Sequence, residues 1–196
     1  MKGYVLFVFL ITSGLLVPQV FAQTVTINDS PRPFSVTPPN SWSRESTSTG
    51  NSRVRFVSPP GSPYAECAVI VKEFPSLRGN PQSLLDQQMM ESPDVQEITR
   101  QLSTRYNNVK VIDTGVASIS GFPAQLYNVQ YSVGTTSGEQ WIRGVLISTL
   151  TTPGLVWTIS CGAMESTFEE AQKGYSHWQS EIVRFPTNVK ILEKIH

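Results

Sequence analysis

V-K-V-I-D-T-G-V-A-S-I-S-G-F-P-A-Q-L-Y-N-V-Q-Y-S-V, residues 109–133, decides the fold. Two runs rich in β-branched and aromatic residues, 109–119 and 122–133, flank the dipeptide Ser120-Gly121. That composition favours strands, and a two-residue polar joint between them is a hairpin signal. The pattern continues downstream. A turn over 134–138 leads to a third run at 139–151, and Pro153-Gly154 leads to a fourth at 155–164. Sequential strands joined by short turns pair antiparallel, so this half of the chain is read as a four-strand meander.

A helix follows. Ser166-Thr167-Phe168-Glu169 reads as a capping box. Phe168, Ala171, Tyr175, Trp178, Ile182 and Phe185 then recur at spacings of three and four, and Pro186 closes the run. One apolar stripe on a helix has to be covered, and the sheet is the surface available.

Upstream, residues 24–28 and Phe34-Ser35-Val36 are short extended pieces, and Pro38-Pro39-Asn40 is a turn. Residues 42–49 and 52–58 flank Gly50-Asn51, a second hairpin signal. Residues 59–63, P-P-G-S-P, form a stiff connection that no strand can contain. Residues 65–74 form a strand. Asn80-Pro81 then reads as a cap with proline at the first helical position, followed by helix formers over 83–91. Ser92-Pro93 repeats the signal before a helical piece over 93–106 with Val95, Ile98 and Leu102 on one stripe. The two pieces are either one kinked helix or two short ones. Strands and helices are segregated, so the fold class is α+β: an antiparallel β-sheet with helices packed on its faces.

The N-terminus sets the address. Lys2 precedes an apolar run over 4–17, Pro18 breaks it, and Val20-Phe21-Ala22 supplies small residues for cleavage. Residues 1–22 therefore read as a signal peptide cut after Ala22, and the protein as secreted or periplasmic. Residues 23–33 form an N-terminal extension, 34–186 one domain, and 187–196 a tail. The chain carries 15 basic and 15 acidic residues, and loss of Lys2 leaves a net charge of −1. A near-neutral surface gives no basis for nucleic acid as a partner. No second run near 18 apolar residues exists to anchor the chain in a membrane.

Cys67 and Cys161 are disulfide candidates in this compartment. Each lies in a strand-like run. Cys67 shares parity with Val69 and Val71, and Cys161 with Trp157 and Ile159, so both face the same apolar layer. Two buried free thiols are the alternative, and a reactive thiol ranks last.

Catalytic motifs are scarce. His177 and His196 are the two histidines. His177, with Glu170 and Glu181, is read as a solvated helix face before a metal site. No Ser has a G-x-S-x-G context, and 134–138 is a hairpin turn before it is a phosphate loop. No cofactor is expected. Trp141 and Arg143, two residues apart on one strand, leave the same face; they are either core packing or an interaction surface.

F-S-V-T-P-P-N-S-W at 34–42 and S-G-F-P-A-Q-L-Y at 120–127, with Phe185-Pro186 at the end of the last helix, resemble the PsbP/Mog1-like superfamily over residues 34–186. The first looks like that family's opening strand and proline turn, the second like its G-x-x-A-x-x-Y hairpin. The resemblance implies an antiparallel sheet with helices on its faces. It also implies a non-catalytic accessory or binding role, because members are mostly non-enzymatic. The expected partner is a protein of the envelope, recognised by a sheet edge or by the loops at 59–64 and 75–81. A small-ligand carrier, with a pocket between the sheet and the last helix, is the alternative. A cryptic hydrolase ranks last.

Overall fold

The computed structural model describes residues 23–28, 30–45, 52–136 and 138–192. The expected signal peptide and its cleavage point, the Gly50-Asn51 turn and His196 lie outside the described residues. Among the described residues, ten strands and three α-helices follow in the order β1 (Val25–Ile27), β2 (Phe34–Val36), β3 (Ser43–Glu45), β4 (Ser52–Val57), β5 (Ala65–Glu73), α1 (Gln82–Met90), α2 (Val95–Ser103), β6 (Asn107–Ile119), β7 (Phe122–Thr135), β8 (Gly138–Thr152), β9 (Leu155–Glu165), α3 (Phe168–Arg184) and β10 (Val189–Ile191). Seven strands form one antiparallel sheet in the order β3-β4-β5-β9-β8-β7-β6, and β1-β2-β10 form a smaller one. The α+β architecture read from the sequence is the architecture of the molecule.

Period-two alternation sorts the large sheet into two faces. Ala65, Cys67, Val69 and Val71 of β5 and Trp157, Ile159, Cys161 and Ala163 of β9 point one way, each with 1 % exposure or less. The small sheet and α3 cover that face. Phe34 meets Trp157 edge-on at 5.7 Å, and Phe56 meets Phe185 at 6.0 Å. Cys67 and Cys161 stand directly opposite in the β5–β9 register and are disulfide-bonded, with Cα atoms 4.1 Å apart. A separation that short belongs to the non-hydrogen-bonded pairs of an antiparallel ladder.

α3 lies close on the sheet because of Gly174. A Cβ there would stand 3.2 Å from Ala163 Cβ and 3.4 Å from Pro63 Cβ. Trp178 Nε1 donates to the Pro63 carbonyl at 2.8 Å and fixes the loop before β5 to the helix. The capping box falls one residue later than the sequence suggested. Thr167 Oγ1 accepts from the Glu170 N–H, and the Glu170 carboxylate accepts from both the Ser166 and Thr167 hydroxyls. Glu169 pairs instead with Lys173, one turn on.

α1 and α2 lie on the opposite face, α1 over β7 and β8 and α2 beside β6. They are two helices, separated where Glu91 turns extended. Their starts differ from the expected caps. Pro81 holds the cap position of α1, one residue after Asn80. Asp94, rather than Ser92, caps α2, its carboxylate accepting from the Gln96 and Glu97 N–H groups. An aspartate directly before the first turn offers a charged acceptor at the positive end of the helix. The tail holds β10, which pairs with β2. No helix among the described residues is long and apolar enough to cross a membrane.

Candidate binding site

The two edges of the large sheet differ. β3 has three residues, whereas β6 has 13. Ser120 and Gly121 adopt φ values of 54° and 85°, as a two-residue hairpin turn requires, and set Ile119 against Phe122. The residues flanking such a turn form a hydrogen-bonded pair, and bonded and non-bonded pairs then alternate. Asp113, Gly115, Ala117 and Ile119 therefore bond to β7. The N–H and C=O groups of Thr114, Val116 and Ser118 point to the open edge. Pro123 stands opposite Ser118 in a non-bonded pair, so its missing N–H removes no rung between β6 and β7.

The two halves of β6 present this edge differently. Register shifts interrupt the first half between Asn107 and Lys110 and between Val111 and Asp113. Bulges and an edge lysine are the usual protections against pairing with another chain. Residues 113–119 pair regularly, carry Asp113 as their one charge, and leave Val116 44 % exposed.

A cleft of about 230 Å³ lies on the α3 side of this half-strand. Gly115 and Ala117 of β6 and Leu126 of β7 form its floor; Tyr175, Val183 and Pro186 form the helix-side wall. α3 covers β8 and β9 and stops short of β6, so the cleft is the step where the helix layer ends. A Cβ at Gly115 would meet nothing within 4 Å. The lining is mostly apolar, and Asp113 and Asn128 are its polar members. The Asn128 Oδ1 is buried and has no hydrogen-bond partner among the described residues.

A second cleft, about 190 Å³, opens on the other face over Thr158 and Ser160, between Ile70, Ile142 and a stacked pair of tyrosines. The Tyr106 and Tyr131 rings lie 4.1 Å apart. Glu66 lines this cleft and is tied into a charge network beside it. Its Oε2 accepts from Arg55 Nη1 at 3.2 Å and from the Tyr64 hydroxyl at 3.1 Å, while Arg55 also donates to Glu45. Burial disfavours the Arg55 charge, but the Glu45 hydrogen bond and both carboxylates outweigh it and raise its pKa. Burial, and then the Glu66 carboxylate, push the Tyr64 hydroxyl up to about 12. Burial raises Tyr131 in the same direction. Arg55 pairs through its Nη groups with both carboxylates, which is the behaviour of a structural network, while its Nε is buried without a hydrogen-bond partner among the described residues.

Trp141 and Arg143 leave the same face, and that face lies under α3. The Trp141 ring meets Phe168 edge-on at 5.5 Å. Arg143 Nε donates to Gln172 Oε1 at 2.6 Å, and its guanidinium lies 5.2 Å from the Tyr175 ring centre. Both are half-buried and hold the helix to the strand. His177 is exposed on the outer side of α3, its ring edge-on to Trp178. No group of three or more His, Cys, Asp or Glu side chains capable of holding a metal occurs among the described residues. The loops at 59–64 and 75–81 flank opposite ends of the nine-residue β5. At about 3.3 Å per residue they stand roughly 26 Å apart, too far to form one small patch.

No family model matches the chain, and no curated protein matches it in sequence. In structure the chain is similar to LpqN, involved in cell envelope biogenesis of Mycobacterium tuberculosis, with 12 % identity over 87 % of this chain and 91 % of that one and a TM-score of 0.51. It is also similar to the solution structure of cyanobacterial PsbP (CyanoP) from Synechocystis sp. PCC 6803, with 14 % identity over 93 % and 99 % of the two chains and a TM-score of 0.49. The likeness to LpqN is one of fold, and the α+β architecture that the sequence resemblance implied is the architecture found. At this identity function has to be argued from the site.

Proposed function

We propose that this chain is a non-catalytic binding or accessory module, exported by the signal peptide read at residues 1–22, that engages a protein partner in the cell envelope. One observation carries the reading: the half-strand at 113–119 presents a regular, nearly uncharged edge with Val116 exposed. Such an edge is a ready template for another chain, and soluble proteins ordinarily blunt it. The disulfide between Cys67 and Cys161 suits an oxidising compartment. LpqN, which shares the fold, is involved in cell envelope biogenesis, and that setting agrees with the same address.

The test is photo-crosslinking in the native host, with the reactive group placed at Val116 or, as a control, at the exposed Lys72 of β5. One discrete adduct from Val116 and none from Lys72 is the expected result. Equal labelling from both positions, or none from Val116, sinks the reading.

The cleft of about 230 Å³ beside α3 supports a second reading, a small-ligand carrier. Its test is native mass spectrometry of gently isolated protein. A bound mass of a few hundred daltons, lost on Gly115→Leu, supports a carrier, and a bare chain ends that reading.

A further inference from the structure

We infer that the partner presents an extended, uncharged segment that adds to β6 as an eighth strand and seats one apolar side chain in the cleft between β6 and α3. This rests on the reading of β6 as the recognition edge, and it names what binds there. Two separate features define the occupant. The outward C=O groups of Thr114, Val116 and Ser118 and the N–H groups of Val116 and Ser118 repeat at strand spacing, so they are satisfied together by another strand, while the Thr114 N–H already donates to Asp113 Oδ1 at 2.8 Å. The cleft lies on the side of β6 to which Asp113, Gly115 and Ala117 point, directly beside that edge. An added strand lies about 4.8 Å from β6, and a side chain on its α3-facing side leans across Gly115 and Ala117 into the cleft. Main-chain bonds then supply affinity and the pocket supplies choice of side chain, as in other strand-addition complexes.

The smallness of Gly115 and Ala117 is what keeps the cleft open. Neighbouring positions on the same strand face hold Ile119, which is 1 % exposed in its own core. Val183, 52 % exposed on α3, forms an apolar lip that gains cover only when something occupies the cleft. Asp113 at one end disfavours an acidic segment there.

A second copy of this chain fits poorly as the occupant. Two-fold antiparallel pairing of β6 about Val116 places Gly115 opposite Ala117 and Asp113 opposite Ile119. The residues then offered to the cleft are Asp, Gly, Ala and an already buried Ile, none of which fills an apolar space of about 230 Å³. The filling side chain has to come from a different sequence.

The experiment uses the disulfide-bonded protein from its own host and two blocked peptides, acetyl-Thr-Val-Thr-Leu-Thr-Val-Thr-amide and its twin with Asp in place of the central Leu. Binding is read by fluorescence anisotropy, and the location by hydrogen–deuterium exchange. The Leu peptide should slow exchange within residues 113–119 by roughly 10-fold or more and bind about 10-fold tighter than the Asp twin, as burial of one large apolar side chain requires. Val116→Pro removes an outward N–H without touching a β6–β7 bond, so it should abolish binding of both peptides while the thermal melt stays unchanged. Gly115→Leu fills the cleft and should reduce the preference for the Leu peptide to less than about 3-fold while edge protection persists. Protection elsewhere, or equal binding of the two peptides to the unaltered protein, overturns the inference. A concentration-dependent dimer that Val116→Pro abolishes also overturns it, in favour of self-pairing. The crosslinking result at Val116 stands apart: a discrete adduct with no Leu preference retains the edge and removes the cleft, whereas no adduct removes the edge itself.

Discussion

Breaking the link between Cys67 and Cys161 should cost this protein about 4.7 kcal/mol, nearly all of it through the unfolded chain. The two cysteines are 94 residues apart in sequence. Loop-closure entropy for a ring of that size gives about 4.7 kcal/mol at 25 °C in the chain-entropy description. In the folded state the bond joins residues already opposed in the ladder, so its loss need not move either strand. For a chain of this length each kcal/mol shifts the melting midpoint by roughly 2–4 °C, so the expected drop is about 9–19 °C. The assay compares oxidised protein with protein reduced while unfolded and refolded in reductant, both followed by urea and thermal melts. Both forms keep the two sulfurs, so only the covalent link differs. A Cys67→Ala, Cys161→Ala double variant should fall a further ~1–2 kcal/mol, because it also empties volume at positions with 0 % and 1 % exposure. Burial also predicts that reductant leaves the native protein untouched, so that thiols appear at the rate of global unfolding. Oxidised and reduced forms agreeing within about 1 kcal/mol would refute the loop-closure reasoning.

Three further outcomes test other parts of the structure. Trp157→Ala removes the largest fully buried side chain, which meets Phe34 and donates to Thr152 Oγ1 at 3.1 Å, and should cost about 3–5 kcal/mol in urea unfolding; a loss below about 1 kcal/mol contradicts its place in the core. Asp94→Ala should cost α2 about 1 kcal/mol, read as faster amide exchange over residues 95–103 with little change in the global midpoint; unchanged exchange there removes Asp94 as the cap. Tyr64 is raised from 10.0 to about 12 in the folded state, so the unfolded chain gives up its proton first as pH rises. Stability should therefore be full below pH 10 and fall between pH 10 and about 12. Tyr131 is shifted the same way and keeps part of the slope, so Tyr64→Phe should flatten the profile without abolishing it. An unchanged alkaline slope in Tyr64→Phe assigns the loss to other groups.

Local signals made most of the fold legible. The Ser120-Gly121 hairpin, the meander after it and the α3 stripe all depend on neighbours within a few residues, and the structure holds each of them. Strand parity placed Cys67 and Cys161 on one apolar layer, and they are bonded there. The caps of α2 and α3 moved by one or two positions because several adjacent residues in each segment can accept the same orphan N–H groups. Non-local pairing was the main thing hidden. Nothing in Val189-Lys190-Ile191 marks it as the partner of Phe34-Ser35-Val36, and a three-residue strand carries too little pattern to be read alone. The cleft was hidden for a related reason. It arises where α3 ends above β6 and β7, so its lining comes from positions far apart in sequence. Gly115 was the one local sign, a glycine inside a strand pattern where packing ordinarily wants a side chain.

The small sheet also gives the molecule a mechanical property. β1 and β10 both run antiparallel to β2, with Val25 and Val189 level with Val36 and Ile27 and Ile191 level with Phe34. Tension on the chain ahead of β1 and behind β10 therefore pulls the two outer strands in opposite senses along their common axis. The rungs on both sides of β2 are loaded in shear, so they share the force and do not open one after another from an end. A tether at each end would meet this clamp before it reached the buried layer behind Phe34 and Trp157.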